Sequence, residues 1–273
     1  SLNSSDTIKG GILRLFQYIF IFFILVKELK DKKHLWRVIF SATSGLCLAS
    51  ANGIWQVFSG KDFIRGYSPV LNIGLVRATA SFKDSNTLGI FLSATSPLIF
   101  GLTLYYLKGR IKIIFIIISL VSLISIGLTY SRPTLLAVYL AILLLASVRR
   151  SKLLIGLLLI LTLVSPFIAP KPVKDFAKSV NYNPLRFMCN DDRIAIFRNS
   201  INMIKQHPII GVGANTFMKN YKKYKESPEY MNIVTSDTLY AHNNFLHIAA
   251  ELGLIGLSIF IWLLYQLFRE CVS

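Results

Sequence analysis

The stretch AHNNFLHIAAELG, residues 241–253, places His242, His247 and Glu251 where a polar segment turns apolar. Titratable groups that close to hydrocarbon are costly unless they are solvated, paired or used. Four arginines supply charges that such groups could work beside: Arg77, Arg132, and the pair Arg193 and Arg198. A guanidinium binds phosphate oxygens bidentately and keeps its charge at any biological pH. A histidine can take a proton from an attacking hydroxyl near neutral pH. These residue types fit an anionic substrate at the lipid headgroups, provided the fold collects them on one face.

Each residue also has a plain structural reading. Arg132, the only charge between Lys112 and Arg149, could snorkel to headgroups, and Arg77 could anchor the end of a loop. Arg193 and Arg198 lie five positions apart, about 140° around a helix, so they cannot share a face, and Arg198 is the better choice for a solvated or structural role. His207 before Pro208 reads as a helix C-terminal cap, and His247 as a packing residue. Glu251 is open between a base and an arginine partner. Asp191 and Asp192 read as N-caps, with no metal-ligand spacing around them.

The elements that position these residues are apolar. The chain is 53% hydrophobic and only 16% charged, against roughly 25% charged in a soluble domain, and its mean hydropathy is +0.56. Runs at 38–58, 88–107, 113–131 and 153–170 approach the roughly 20 residues that cross a bilayer as a helix. Runs at 11–26, 133–148 and 252–268 complete an expected set of seven. The fold class is therefore an all-α, polytopic transmembrane bundle. Cys47, Cys189 and Cys271 are too scattered for a disulfide framework or a metal site.

The net charge of +17 is distributed against nucleic acid as a partner. Basic clusters at 27–37, 108–112 and 149–152 sit between apolar runs, which marks the cytoplasmic side. Residues 59–85, the turn at 131–133 and the long stretch 171–247 then lie outside. That places residue 1 outside, before an odd number of spans and with no leader, so the reading expects the C-terminal part of a longer membrane protein.

Residues 171–247 carry eleven Lys/Arg against six Asp/Glu and are too long for a plain connector. In NDDRIAIFRNSINMIKQHP, the spacing of Ile194, Phe197, Ile201 and Ile204 predicts a helix, with Asn190, Asp191 or Asp192 as cap and Pro208 as stop. GVGANTF follows as a glycine turn, and MKNYKKYKESPEY as a second amphipathic piece. The first outside loop is Gly/Ser-punctuated and carries Arg65 and Arg77.

DDRIAIFRNSINMIKQHPIIGVGANTF followed by AHNNFLHIAAELGLIGLSIF resembles the O-antigen ligase and polymerase superfamily. That family shows an arginine-led amphipathic helix, a Pro-(apolar)2-Gly-x-Gly turn, then His-Asn and Glu-x-Gly-(apolar)2-Gly. TYSRPTLL resembles its Ser-Arg turn, and VRATASFKDSNTLGIFL its Arg-to-Asn segment before a span, with Ala80 where glycine is usual and Phe197 where tryptophan is common. The resemblance runs from about residue 50 to the end.

It implies one GT-C-like membrane domain over 1–273, with 171–247 as its periplasmic catalytic loop, in the bacterial cytoplasmic membrane. The implied activity is glycan transfer from an undecaprenyl-diphosphate carrier to a hydroxyl of a glycan, of lipid A–core or of a protein, with the lipid bilayer as the other partner. By position, the implied catalytic residues are His242, Arg193 and Arg132. The implied substrate-binding residues are Arg77, Arg198, Asn86, Asn243 and Glu251. No metal or cofactor is expected. Displacement at an anomeric carbon needs the departing diphosphate stabilised, which fixed arginines can do, and direct attack would invert the configuration. A transporter would carry charges near mid-membrane or repeat symmetry, whereas the spans at 88–107, 113–131 and 153–170 are uncharged. A polysaccharide-holding assembly protein is the other alternative, and it would not need His242.

Overall fold

The computed structural model describes residues 13–28, 31–72, 74–188, 191–224 and 240–272. Two compact units result: Leu29–Pro184, and Ser1–Glu28 together with Leu185–Ser273. Each of the seven apolar runs is helical. The helices are α1 (Leu13–Glu28), α2 (Lys32–Ser59), α3 (Ser85–Tyr105), α4 (Gly109–Thr129), α5 (Arg132–Val148), α6 (Lys152–Ile168) and, much later, α11 (Asn244–Val272). Among the described residues four stretches, α2, α3, α4 and Asn244–Glu270, are long and apolar enough to cross a membrane singly. A fifth span results if α6 is counted with α7 (Lys171–Ser179), to which it is bent by 87°.

In the first unit α4 packs against α2 and α3, and α5 against α3 and α6. Their faces are distributed as lipid requires. The outward side of α4 is Ile113, Ile117, Leu120 and Ile124, while Phe115, Ser119, Ser122, Ser125 and Ile126 are buried. Hydrocarbon rewards the most apolar side outward, and small residues let helices approach. Gly89 on α3 shows how close: a Cβ there would stand 2.1 Å from Thr134 Oγ1 on α5.

Contacts fix which turns share an end. The Arg149 guanidinium lies 5.1 Å from the Tyr105 ring and donates to the Tyr106 hydroxyl at 2.9 Å, so the basic turns at 108–112 and 149–152 are neighbours. The basic start of α2 joins them, since Phe40 meets Phe115 near the start of α4. At the opposite end Ala78 N–H donates to Leu128 O, bringing a two-stranded hairpin, β1 (Val70–Asn72) and β2 (Leu75–Arg77), onto the end of α4. Arg77 and Arg132 therefore belong to one end, away from the basic turns.

Two amides within the apolar run of α2 hold the hairpin loop. Gln56 accepts from Thr79 N–H and Ala80 N–H at 2.8 Å each and donates to Tyr67 O. Asn52 donates to the Ser81 hydroxyl and accepts from Phe63 N–H. Buried Asp62 accepts the N–H groups of Ile64, Arg65 and Tyr67 and the Ser81 hydroxyl. Burial raises its pKa, but those hydrogen bonds outweigh burial and hold it far below the usual carboxylate range.

In the other unit the stretch between α7 and α11 contains α8 (Pro184–Met188), α9 (Asp191–Gln206) and α10 (Phe217–Tyr221), with a 3-10 turn at Lys222–Tyr224. The helix α9 forms where expected, and Ile194, Phe197 and Ile204 of the expected stripe are half-buried, Ile204 against the core, but the most buried face is a neighbouring one. Ala195, Ile196, Asn199, Ser200 and Met203 are buried, whereas Ile201 is exposed. Small and polar residues can occupy this face because it meets backbone and tyrosine hydroxyls: Asn199 donates to Tyr221 and Ser200 to Ile196 O. The capping expected of Asn190, Asp191 and Asp192, and residues 225–230 of the second amphipathic piece, fall on residues or side chains outside those described.

Candidate functional site

The unit containing α9 and α11 is organised around a break in α11. Gly253 has φ +70° and ψ −171°, outside the helical region. The chain from Pro208 to Gly213 lies against the break: Val212 N–H donates to Ala250 O, Gly213 N–H to Glu251 O, and Leu254 N–H to Pro208 O. Only glycine permits this approach. A Cβ on Gly253 would stand 2.0 Å from Ile209 O, and one on Gly211, at φ +64°, 2.4 Å from the Glu251 carbonyl carbon. The two glycine motifs of the sequence are thus the two sides of one backbone contact.

Glu251 completes it. The carboxylate is buried and accepts from Asn215 N–H at 2.7 Å and Phe217 N–H at 2.9 Å, the second opening α10. His247 Nε2 lies 3.6 Å from Oε1, the oxygen that also accepts from Phe217 N–H, with the imidazole 5.0 Å from the Phe217 ring. Among the described residues Glu251 meets backbone amides and a histidine, not an arginine. His207 follows the last residue of α9, where its N–H donates to Met203 O, and its Nε2 meets the Tyr224 hydroxyl at 2.9 Å.

Asn243 caps α11, its side chain accepting from Phe245 N–H and Leu246 N–H. His242 stands just before that cap with φ +50°, a left-handed conformation uncommon for histidine. Partial burial, and then the charge of Arg193 in the first turn of α9, push its imidazole below the ordinary 6.5. The ring is therefore neutral at pH 7 and able to accept a proton. Arg198 is exposed, on a different face of α9 from Arg193.

A family model described as O-antigen ligase matches residues 98–261, more than half of the sequence. The chain belongs to the O-antigen ligase family. Members of that family are glycosyltransferase-type enzymes, ligases and polymerases, and with the apolar helices this marks a multi-pass inner-membrane protein. No curated protein and no solved structure matches. The family match takes in Arg132, Arg193, Arg198, His242, Asn243 and Glu251; Arg77 and Asn86 precede it.

Those last two act in the first unit of the ligase-family chain, at the start of α5. Arg77 Nε donates to Thr129 O at 2.8 Å and its Nη2 to Asn86 Oδ1 at 3.3 Å. The same Asn86 oxygen accepts from the Ser131 hydroxyl at 3.0 Å. Tyr130 holds φ +46° within the turn, so the Ser-Arg turn is pinned from two elements, β2 and α3. Arg132 begins α5 with its guanidinium 4.9 Å from the Phe176 ring centroid. Ala80, where the family's glycine is usual, has φ +47°, which explains the preference for glycine.

Sequence reasoning missed Asn52 and Gln56, which sat unmarked in an apolar run, and Gly211 and Gly253 as a contacting pair. Their signal was polar amides at i and i+4 near the end of a span, facing a loop that needs partners.

Proposed function

We propose that this protein transfers a glycan from an undecaprenyl-diphosphate carrier to an acceptor hydroxyl on the outer face of the inner membrane, in the manner of an O-antigen ligase. The observation that carries the reading is that, in a chain of this family, His242 stands at the start of α11 within electrostatic reach of Arg193, whose charge adds to burial in holding the imidazole below its ordinary value. The acceptor oxygen attacks the anomeric carbon and its proton passes to His242. The bond from that carbon to the carrier oxygen breaks, and the electron pair leaves with the undecaprenyl diphosphate. One displacement without a covalent enzyme intermediate inverts the configuration. Arg193 stabilises the charge that builds on the diphosphate, and Arg132 also serves the donor phosphates. Asn243 and Glu251 act by position, one placing His242 and the other fixing the glycine turn. Arg77 and Asn86 hold the Ser-Arg turn, and Arg198 contacts glycan at the rim.

The whole chain works as one catalytic domain, with 171–247 on the periplasmic side. The test is transfer by the full-length protein from a purified carrier-linked glycan, offered lipid A–core, a carrier-linked glycan or a protein acceptor, with and without EDTA. Transfer that survives EDTA but drops roughly 10²–10⁴-fold in His242→Ala, with large losses in Arg193→Ala and Arg132→Ala, supports the mechanism. Transfer only to a carrier-linked glycan makes the protein a polymerase of the same chemistry. Full activity in His242→Ala removes the proposed base.

A further inference from the structure

The loop between α2 and α3 contains a cavity that the transfer chemistry leaves unused. Its volume is about 380 Å³, and Arg65, Tyr67, Ser68, Thr79, Phe82 and Lys83 line it. Ligand pockets run from roughly 300 to 1,000 Å³, so this one suits a single substituted sugar residue and not a long glycan segment. With Val70, the lining is two cations, two aromatic rings and two aliphatic hydroxyls. The Arg65 guanidinium lies 5.9 Å from the Tyr67 ring centroid, and Phe82 is backed by Phe91 at 5.5 Å.

The walls are rigid, and residues 59–85 keep a positive excess, four Lys/Arg against two Asp, although Asp84 stays within electrostatic reach of Lys83. Asp62, the nearest carboxylate in sequence to Arg65, is spent on the N–H groups of Ile64, Arg65 and Tyr67 and on the Ser81 hydroxyl. Asp84, next to Lys83, caps α3 through Asn86 N–H, Thr87 N–H and the Thr87 hydroxyl. Gln56 fixes Thr79 and the Tyr67 carbonyl from below. A preorganised lining loses little freedom on binding.

We propose that this cavity is a subsite for an acidic sugar residue, a hexuronic acid or its like. Its carboxylate meets Arg65 and Lys83 and its pyranose ring packs on Tyr67. The choice of a glycan as ligand rests on the glycosyltransferase reading; the charge and shape of the cavity do not. An enzyme of this kind would favour glycans that carry a carboxylate, and neutral glycans would lose the anchoring that the two cations supply.

The experiment is calorimetric titration of the full-length protein, held in phosphatidylcholine nanodiscs, with a galacturonic acid trimer and with a neutral galactose trimer. The acidic trimer should bind at least about tenfold more tightly than the neutral one. Arg65→Gln and Lys83→Gln should each weaken it roughly tenfold, the size expected for losing one hydrogen bond to a charged group. Arg65→Lys should keep most of the binding, and Tyr67→Ala should weaken both trimers. Equal binding of the two trimers, or indifference to both glutamine variants, overturns the subsite. Displacement of the acidic trimer when phosphatidylglycerol is added to the discs also overturns it, by assigning the cavity to a lipid headgroup. Binding is read without turnover, so the two readings fail separately. A protein that binds the acidic trimer as described but transfers no glycan refutes the transferase, and one that transfers normally without this binding refutes only the subsite.

Discussion

Replacing Glu251 with glutamine separates an anchoring carboxylate from a catalytic one. Its oxygens accept from Asn215 N–H and Phe217 N–H at 2.7 and 2.9 Å. Glutamine keeps one oxygen and turns an amide NH₂ toward the other N–H, so one charge-assisted bond is lost and a backbone donor is left facing a donor. That costs about 2–4 kcal/mol, which opens the 211–217 turn about thirtyfold to several-hundredfold more often. Limited proteolysis should show the turn cut correspondingly faster, and transfer should fall because the segment that packs on the break in α11 is looser. The pH dependence of kcat/KM should keep its acidic limb, since His242 is untouched. A Glu251→Gln protein as resistant to protease as wild type, but without transfer or its acidic limb, would refute this reasoning and make Glu251 the proton acceptor.

Further expectations concern single contacts. With His242 as base, kcat/KM falls as pH drops through a pKa below 6.5, because protonation removes the acceptor; Arg193→Gln should move that limb to higher pH by removing a repelling charge, and an unmoved limb would separate the two residues. Gly89→Ala should destabilise by about 1–3 kcal/mol, since its Cβ would overlap Thr134 Oγ1, and thermal unfolding should show partial rescue by Thr134→Ala. The Asp62 carboxylate stabilises its loop above the ordinary carboxylate pKa of about 4. That stabilisation should decline as pH falls toward the depressed folded value, seen as faster hydrogen exchange at 62–67, and Asp62→Asn should remove the pH dependence.

The helices were legible because apolar runs of that length have few other uses, and each run is helical where expected. The span count was less so: α5 has 17 residues and α6 bends into α7, details that hydropathy does not encode. The buried face of α9 was read only in part for a related reason. A scheme that rewards Ile194 and Ile201 overlooks Asn199 and Ser200, whose burial depends on partners arriving from Tyr221 and from the helix backbone. Glu251 was legible as a titratable group near the membrane but not as an anchor. Its partners are backbone amides some 35 residues away in sequence, and amides leave no mark in side-chain patterns.

The placement of His242 follows from the same contact that the sequence hid. An unbroken α11 would have no exposed carbonyls at Ala250 and Glu251 for Val212 and Gly213 to reach. Gly253 breaks the helix and frees them, and Gly211 lets the approaching chain come within bonding distance. Glu251 then secures the turn into α10, whose Phe217 and Tyr221 pack in one apolar cluster with Ile196 of α9. Arg193 lies one turn before Ile196 on that helix, so its position relative to His242 depends on the cluster. Ala241, the residue before His242, packs in the same cluster, while the Asn243 cap and a left-handed backbone fix the imidazole locally. Substitutions at Gly211 or Gly253 should therefore loosen Arg193 and His242 together, lowering transfer and letting the histidine titrate closer to its ordinary value.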